Sequence, residues 1–331
     1  MKINKQKIYR LLFRLIGIVI LLYILSNIDF SSLVGQFSNI NIIYLFFGFI
    51  LMLAVAVFKS LRWRSILESF NLRIGKLLSI KIYWLGLYVG IITPGKIGEV
   101  IKVYFLKARG FSSSKVLLSV IIDRILDLLV IMALGVIIAV FYLHFMMLQI
   151  LILGLIVILL PCLLYYLFNR KNKLSKWLDS SFKKILNEKI YSHFSSFLNA
   201  CLELKKINLR RAVEALFYLI ISWALYYGAN YMIALALHLQ ISPMLLLSAI
   251  VVAIVASLLP ISIAGIGTRD ASFIYIFSLA GINRETALIF SFLILIVDLL
   301  TVSFGLIPYL EESSLIARIK ETDFKKINLP I

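Results

Sequence analysis

Apolar runs near or above the length of a membrane crossing recur along almost the whole chain, as in LGVIIAVFYL at residues 134–143 and LILGLIVILLP at 151–161. A bilayer core of about 30 Å takes about 20 helical residues to cross. Backbone polar groups in lipid must be satisfied inside the segment or in a closed sheet, so only helices and closed barrels can span it. Barrel strands are short and alternate in polarity. The runs here are continuous, and they read as helices. With 62% apolar residues, against roughly 45–50% in soluble domains, the fold class is an all-α integral membrane protein.

The 34 Lys and Arg exceed the 16 Asp and Glu, which gives a net charge of +18. In a soluble chain that balance would suggest nucleic acid. Here the basic residues sit mostly in the connections, where membrane topology and anionic lipid headgroups account for them, and no nucleic-acid partner is expected. Cys162 and Cys201 are far apart, and His144, His193 and His238 are scattered. That pattern predicts no metal site, no disulfide framework and no cofactor. The basic opening MKINKQKIYRLLFR precedes an apolar run without a small-x-small cleavage signal, so it reads as a retained first helix.

Apolar length places spans at 11–28, 42–59, 115–145, 149–168, 212–237 and 285–310. The positive-inside rule orients them. The N-terminus, the connections 59–76 and 107–115, the region 169–211 and the tail carry Lys and Arg, and are expected on the cytoplasmic side of the cell membrane. The connections 29–41, 144–148 and 238–242 carry neither. About six crossings satisfy this pattern only if two further segments enter and leave on one side. These are re-entrant hairpins at 77–109, dipping in from the cytoplasm, and at 243–282, dipping in from outside. The region 169–211 is amphipathic and basic, which suits a membrane-surface helix pair. It could also dock a protein partner.

Each hairpin contains a break rich in Gly, Pro and charge: ITPGKIGEVIKVYF at 92–105 and LPISIAGIGTRDASF at 259–273. Irregular backbone at membrane depth is tolerated only where protein or a watery cavity surrounds it. The two span–hairpin–span units have opposite orientations, an inverted repeat, and interrupted segments at matching places in two halves point to a transporter binding site. The carboxylates agree with the repeat: Asp127 follows Glu99 by 28 positions, and Asp298 follows Asp270 by 28.

After each break, at Pro94 and Pro260, a new helix is expected to start, and its free N–H groups favour an anion. Lys96 falls in the first turn of one and Arg269 in the first turn of the other, while Gly95, Gly98, Gly265 and Gly267 let backbone approach a ligand. Glu99 and Asp270 would orient the cations. A lipid phosphate fits this chemistry; the competing reading is a kinked, packed helix with Lys96 paired to Glu99. In VIIDRILDLLVI, Asp123 and Asp127 share a helix face, with Arg124 beside them. They lie near mid-membrane, as Asp298 does, where charges are costly and normally partnered. Arg124 could neutralise either Asp and simply lock helices together.

The segments TPGKIGEVIKVYFLKARG, SVIIDRILDLL and LLPISIAGIGTRDASF resemble the lysylphosphatidylglycerol synthase transmembrane-region, or flippase-like domain, family. Pro94, Gly95, Gly98 and Glu99 match its P-G-x-x-G-E. Asp123, Arg124 and Asp127 match E/D-R-x-x-D. Pro260, Gly265, Gly267, Arg269 and Asp270 match the third motif, in which Ala264 stands where Gly is common. Ala264 should be tolerated unless that backbone needs a positive φ.

The resemblance implies a non-enzymatic lipid flippase with re-entrant helices, moving an anionic phospholipid or a polyprenyl-phosphate-linked lipid. The chain ends soon after the sixth span, which argues against lipid lysinylation by a soluble aminoacyl-transferase domain. Archaeal members of the family are tied to polyisoprenyl-phosphate sugar transfer, so a membrane glycosyltransferase or an accessory protein of cell-envelope glycan assembly is the alternative. Asp29 is the acidic residue such an enzyme could use, but no DxD motif is present.

Overall fold

A computed structural model describes residues 19–26, 35, 39–93, 98–142, 208–258, 262 and 264–311. The spans expected at 11–28 and 149–168 therefore lie wholly or mostly outside the described residues, as does almost all of the 169–211 region. Residues 19–26 are helical. Nine helices follow among the described residues: α1 (Ile42–Ser69), α2 (Lys76–Ile92), α3 (Ile101–Ala108), α4 (Ser113–Tyr142), α5 (Leu209–Ala236), α6 (Pro243–Leu258), α7 (Thr268–Ser278), α8 (Arg284–Ser303) and α9 (Leu306–Glu311). There is no strand among them. Three stretches, Ile42–Ser69, Leu209–Ala236 and Arg284–Glu311, are long and apolar enough to cross a membrane.

The residues form two compact units. The first comprises Met1–Ser60, Ile80–Ile101 and Ile220–Ser313, and the second Leu61–Ser79, Lys102–Leu219 and Ser314–Ile331.

The core of the first unit is aromatic and aliphatic. Phe273 and Phe277 of α7 each lie 5.1 Å, centroid to centroid, from Phe290 of α8. Around them pack Leu246, Ala249, Ile250 and Ala253 of α6, Ala229 and Ile233 of α5, and Met52 and Val55 of α1. Helices in lipid gain little from burying apolar surface, so close approach through small residues matters more. Gly48 provides such an approach: a Cβ there would stand 3.2 Å from the Ala229 carbonyl. The Asn41 N–H also closes the end of α5 by donating to the Ala236 carbonyl at 2.9 Å. Where α8 turns into α9, a Cβ on Gly305 would collide with the Trp84 carbonyl and with Tyr88. Beside it Phe304 stacks on Trp84 at 5.9 Å. Ile42, Ile43, Phe46, Phe47 and Ile50 form one exposed apolar stripe of α1, the face a membrane helix turns to lipid.

In the second unit, Ile66, Phe70, Leu118 and Ala215 form a smaller core. The sequence suggests that the second span stops at Lys59 and that 59–76 is a basic connection. The helix instead continues to Ser69. No Gly or Pro lies between Gly48 and Gly75 to break it. It ends in a Schellman motif, with Asn71 at φ 61° and bonds from the N–H of Leu72 to the Leu67 carbonyl and from Asn71 to Glu68.

Candidate functional site

The second break is compact and internally bonded. Ala264, Gly265 and Gly267 all take positive φ, at 54°, 76° and 85°. A Cβ on Gly265 would fall 2.5 Å from the Ser257 hydroxyl, so the turn excludes a side chain there as well as needing the conformation. Ser262 and Thr268 hydroxyls meet at 2.9 Å across the turn. Helix α7 then starts at Thr268.

Arg269 and Asp270 lie in its first turn, both buried. Asp270 Oδ2 accepts the Gly267 N–H at 2.8 Å, which caps the helix. Its Oδ1 accepts from the Ser291 hydroxyl of α8 at 2.5 Å and from Arg269 Nη2 at 3.4 Å. Arg269 Nε donates to Ser291 Oγ at 3.0 Å. Asp270 and Arg269 are thus linked mainly through the Ser291 hydroxyl. Asp270 also fills the helix N-terminus with the chain's own carboxylate, so the cap is occupied by an internal anion.

Among the described residues of this turn, Ala264 is the one non-glycine held at positive φ. The left-handed region costs an L-residue about 1–2 kcal/mol, and glycine gives back about 0.4–1 kcal/mol through the unfolded chain. Ala264→Gly is therefore expected to stabilise the protein by roughly 0.5–1 kcal/mol. The test is the midpoint of unfolding when SDS is titrated into the purified protein in mild detergent. An unchanged or lowered midpoint would show that the turn stores no strain there.

The first break is built differently. The Thr93 hydroxyl accepts the Gly98 N–H at 2.7 Å and lies 3.0 Å from the Gly90 carbonyl, bridging the end of α2 to the chain beyond the break. A Cβ on Gly98 would meet the Val89 carbonyl at 2.5 Å. Glu99 is buried, its Cγ 2.9 Å from where a Gly90 Cβ would be. A single tight turn at 98–100 precedes α3, which starts only at Ile101. Pro94, Gly95, Lys96 and Pro260 lie outside the described residues, and the pairing of Lys96, with Glu99 or with a ligand, lies outside them too.

The charged residues of α4 belong to the second unit. Asp123 and Asp127 are drawn together by a residue the sequence reading places in a connection: Arg62 of α1, wholly buried. Arg62 Nε donates to Asp123 Oδ1 and Nη1 to Asp127 Oδ1, each at 2.7 Å. Arg124 is the lesser partner, 3.3 Å from Asp123 and 3.7 Å from Asp127, with 31% of its side chain exposed. Trp63 beside Arg62 donates to the Ser119 hydroxyl at 3.0 Å. The buried Lys102 Nζ lies 5.4 Å from the Trp63 ring, within cation–π range. This cluster ties α1, α3 and α4 together through charge. Arg62 and Lys102 were both missed. The signal for Arg62 was the unbroken helical stretch after Lys59; nothing in the sequence singles out Lys102 from the other lysines.

Asp298 is half-buried on α8, in electrostatic range of Tyr226 on α5. No group of three or more His, Cys, Asp or Glu residues that could hold a metal occurs among the described residues.

Over residues 11–305 the chain matches the family described as lysylphosphatidylglycerol synthase TM region. It is 24% identical over 295 residues to "UPF0104 membrane protein PH1989" of Pyrococcus horikoshii, an alignment covering 82% of this chain and 88% of that protein. No solved structure matches it.

Proposed function

The chain belongs to the lysylphosphatidylglycerol synthase TM region family, and from that premise we propose that it moves an anionic lipid, a phospholipid or a polyprenyl-phosphate-linked lipid, between membrane leaflets. The family name itself ties the fold to a lipid-modifying synthase. The observation that carries the reading is Arg269, a buried guanidinium in the first turn of a helix that starts at a glycine-rich turn. Its carboxylate partner Asp270 sits where a headgroup phosphate would bind. A phosphate has the charge and acceptor geometry to take over from that carboxylate, since Arg recognises both in the same forked fashion. Lys96 of the first break would be the second cation. In this reading the chain has six crossings and two re-entrant hairpins related as an inverted repeat, with both termini cytoplasmic and the 169–211 region free to meet a protein partner. In this reading the protein is a transporter, and a membrane glycosyltransferase or accessory protein of glycan assembly is the competing assignment.

The test is leaflet exchange of labelled anionic lipids, polyprenyl phosphates included, in liposomes containing the purified protein. Arg269→Ala should slow exchange about ten- to hundredfold, the equivalent of about 1.5–3 kcal/mol of charge-assisted hydrogen bonding. Exchange at the wild-type rate in a folded Arg269→Ala would remove the headgroup site. A wild-type protein that moves no lipid of the panel would end the transport reading.

A further inference from the structure

Two of the three described stretches able to cross a membrane terminate at one end of the second unit: α1 stops at Ser69 and α5 starts at Leu209. A ladder of charges holds these termini level. Arg64 donates to the Ile74 carbonyl at 2.9 Å and pairs with Glu68 at 2.5 Å. Arg211 pairs with Glu68 at 2.8 Å and with Glu214 at 2.5 Å. Ile66, Phe70 and Ala215 pack together beside it in the small core. The ladder brings the end of α1, the turn after it and the first turn of α5 together. It also commits both carboxylates, Glu68 and Glu214, to cations of the protein itself.

Three further cations stand on the same segments: Arg73 in the turn, Lys76 at the start of α2 and Arg210 in the first turn of α5. All three are exposed, and none forms an ion pair among the described residues. Lys76 and Arg210 each have an uncovered apolar neighbour. Leu77 is 78% exposed and Leu209 77%, more than any other large apolar residue described. One and two turns further along α5, Val213, Leu216 and Phe217 continue an exposed stripe at helical spacing. A cation beside the end of an apolar stripe suits the boundary between headgroups and acyl chains, where the apolar side chain enters the chains and the cation meets phosphate.

We propose that Arg73, Lys76 and Arg210, with Leu77 and Leu209, form a docking surface for the anionic phospholipids of the leaflet at this end of the unit. The surface is made of the second unit alone, whereas Arg269 belongs to the first, and it does not depend on the transport reading. Charge selects the occupant. Three cations without carboxylates favour a headgroup whose phosphate carries net charge over a zwitterionic one, which brings its own ammonium. The apolar pair selects a lipid over a free anion, because a free anion would leave Leu77 and Leu209 in water. Arg64 and Arg211 are the scaffold: their charge is answered within the ladder, and they hold the three segments in place.

The test is native mass spectrometry of the detergent-purified full-length protein, titrated with phosphatidylglycerol or with phosphatidylcholine of the same acyl chains. Wild type should bind phosphatidylglycerol at least about tenfold more tightly. Arg73→Gln, Lys76→Gln and Arg210→Gln should each lower phosphatidylglycerol affinity about two- to fivefold, and the triple variant should lose the preference. Lys81→Gln is the control: Lys81 is exposed but paired with Glu311 at 2.7 Å, and its loss should change affinity by less than about twofold. Leu77→Ser with Leu209→Ser should weaken both lipids alike and leave their ratio unchanged. A triple variant with the wild-type preference overturns the surface. So does an equal loss in Lys81→Gln, or displacement of the lipid by the same concentration of inorganic phosphate, which would mark an anion site and not a lipid surface. If the triple variant does not fold, the three single variants are read by the same ratio, and three unchanged ratios overturn the proposal.

Discussion

Arg62→Ala is expected to destabilise the detergent-purified protein by about 3–5 kcal/mol, the range seen when one partner of a buried ion pair is removed. Arg62 is fully buried, and both its carboxylate partners are held at 2.7 Å, Asp123 with no exposed side-chain surface and Asp127 with 11%. Arg124 is a poor substitute, because it reaches the same carboxylates only at 3.3 and 3.7 Å and already spends part of its side chain outside. Arg62→Lys should fall between, since an ammonium cannot present two donors in the guanidinium's fork. Neutralising the whole set together (Arg62→Leu with Asp123→Asn and Asp127→Asn) should recover most of the loss, because a buried ion pair replaced as a unit costs little. SDS unfolding followed by circular dichroism gives these differences. An Arg62→Ala protein within about 1 kcal/mol of wild type would mean that the pair adds nothing beyond what a surface salt bridge does.

The second large effect is at Asp270. Its two oxygens accept the Gly267 N–H, the Ser291 hydroxyl and Arg269. Asp270→Ala removes a helix cap and leaves a buried guanidinium without its carboxylate, a combined cost of about 3–4 kcal/mol. Asp270→Asn keeps an acceptor for the cap and should lose less. Ser291→Ala, which takes one acceptor from Arg269, should lose about 1–2 kcal/mol. That order, Ala at Asp270, then Asn, then Ala at Ser291, is the diagnostic result of an unfolding series. Equal midpoints for Asp270→Asn and wild type would show that the charge of Asp270 does not contribute.

The break at 259–273 was the most legible part of the sequence. Two glycines, a proline and a charged pair inside an apolar run predicted an interruption followed by a new helix, and α7 does begin at Thr268 after Gly265 and Gly267 at positive φ. Local geometry of this kind is encoded locally. The exception is Ala264, which stands where the family motif commonly has Gly and does take a positive φ, 54°, set by the turn around it.

Charge pairing was much less legible. Asp123, Arg124 and Asp127 could be seen to share a face, but the cation that dominates them comes from 61 and 65 residues earlier. Counting Lys and Arg to assign sides treats Arg62 as one more loop charge, and no periodicity distinguishes an arginine that faces solvent from one that faces a carboxylate. Ser291 is hidden for a similar reason: a hydroxyl on an apolar helix ordinarily bonds its own backbone, and only the tertiary structure aims this one at Arg269 and Asp270. The equal 28-residue spacings are equally silent on pairing. Asp127 is ion-paired with Arg62, a partner the spacing does not reveal, and Asp298 is in electrostatic range of Tyr226.

The long separation between Arg62 and its partners has a consequence for how the protein is made. At a synthesis rate of about 5–20 residues per second, the 61 residues between Arg62 and Asp123 take roughly 3–12 s to emerge. For that time α1 exists in the ribosome–membrane assembly without the carboxylates that match its guanidinium. A cation near a helix end meets that interval by reaching to the headgroups. Until α4 arrives, Arg62 lacks the two carboxylates it holds in the folded protein, so the late helix completes the early one.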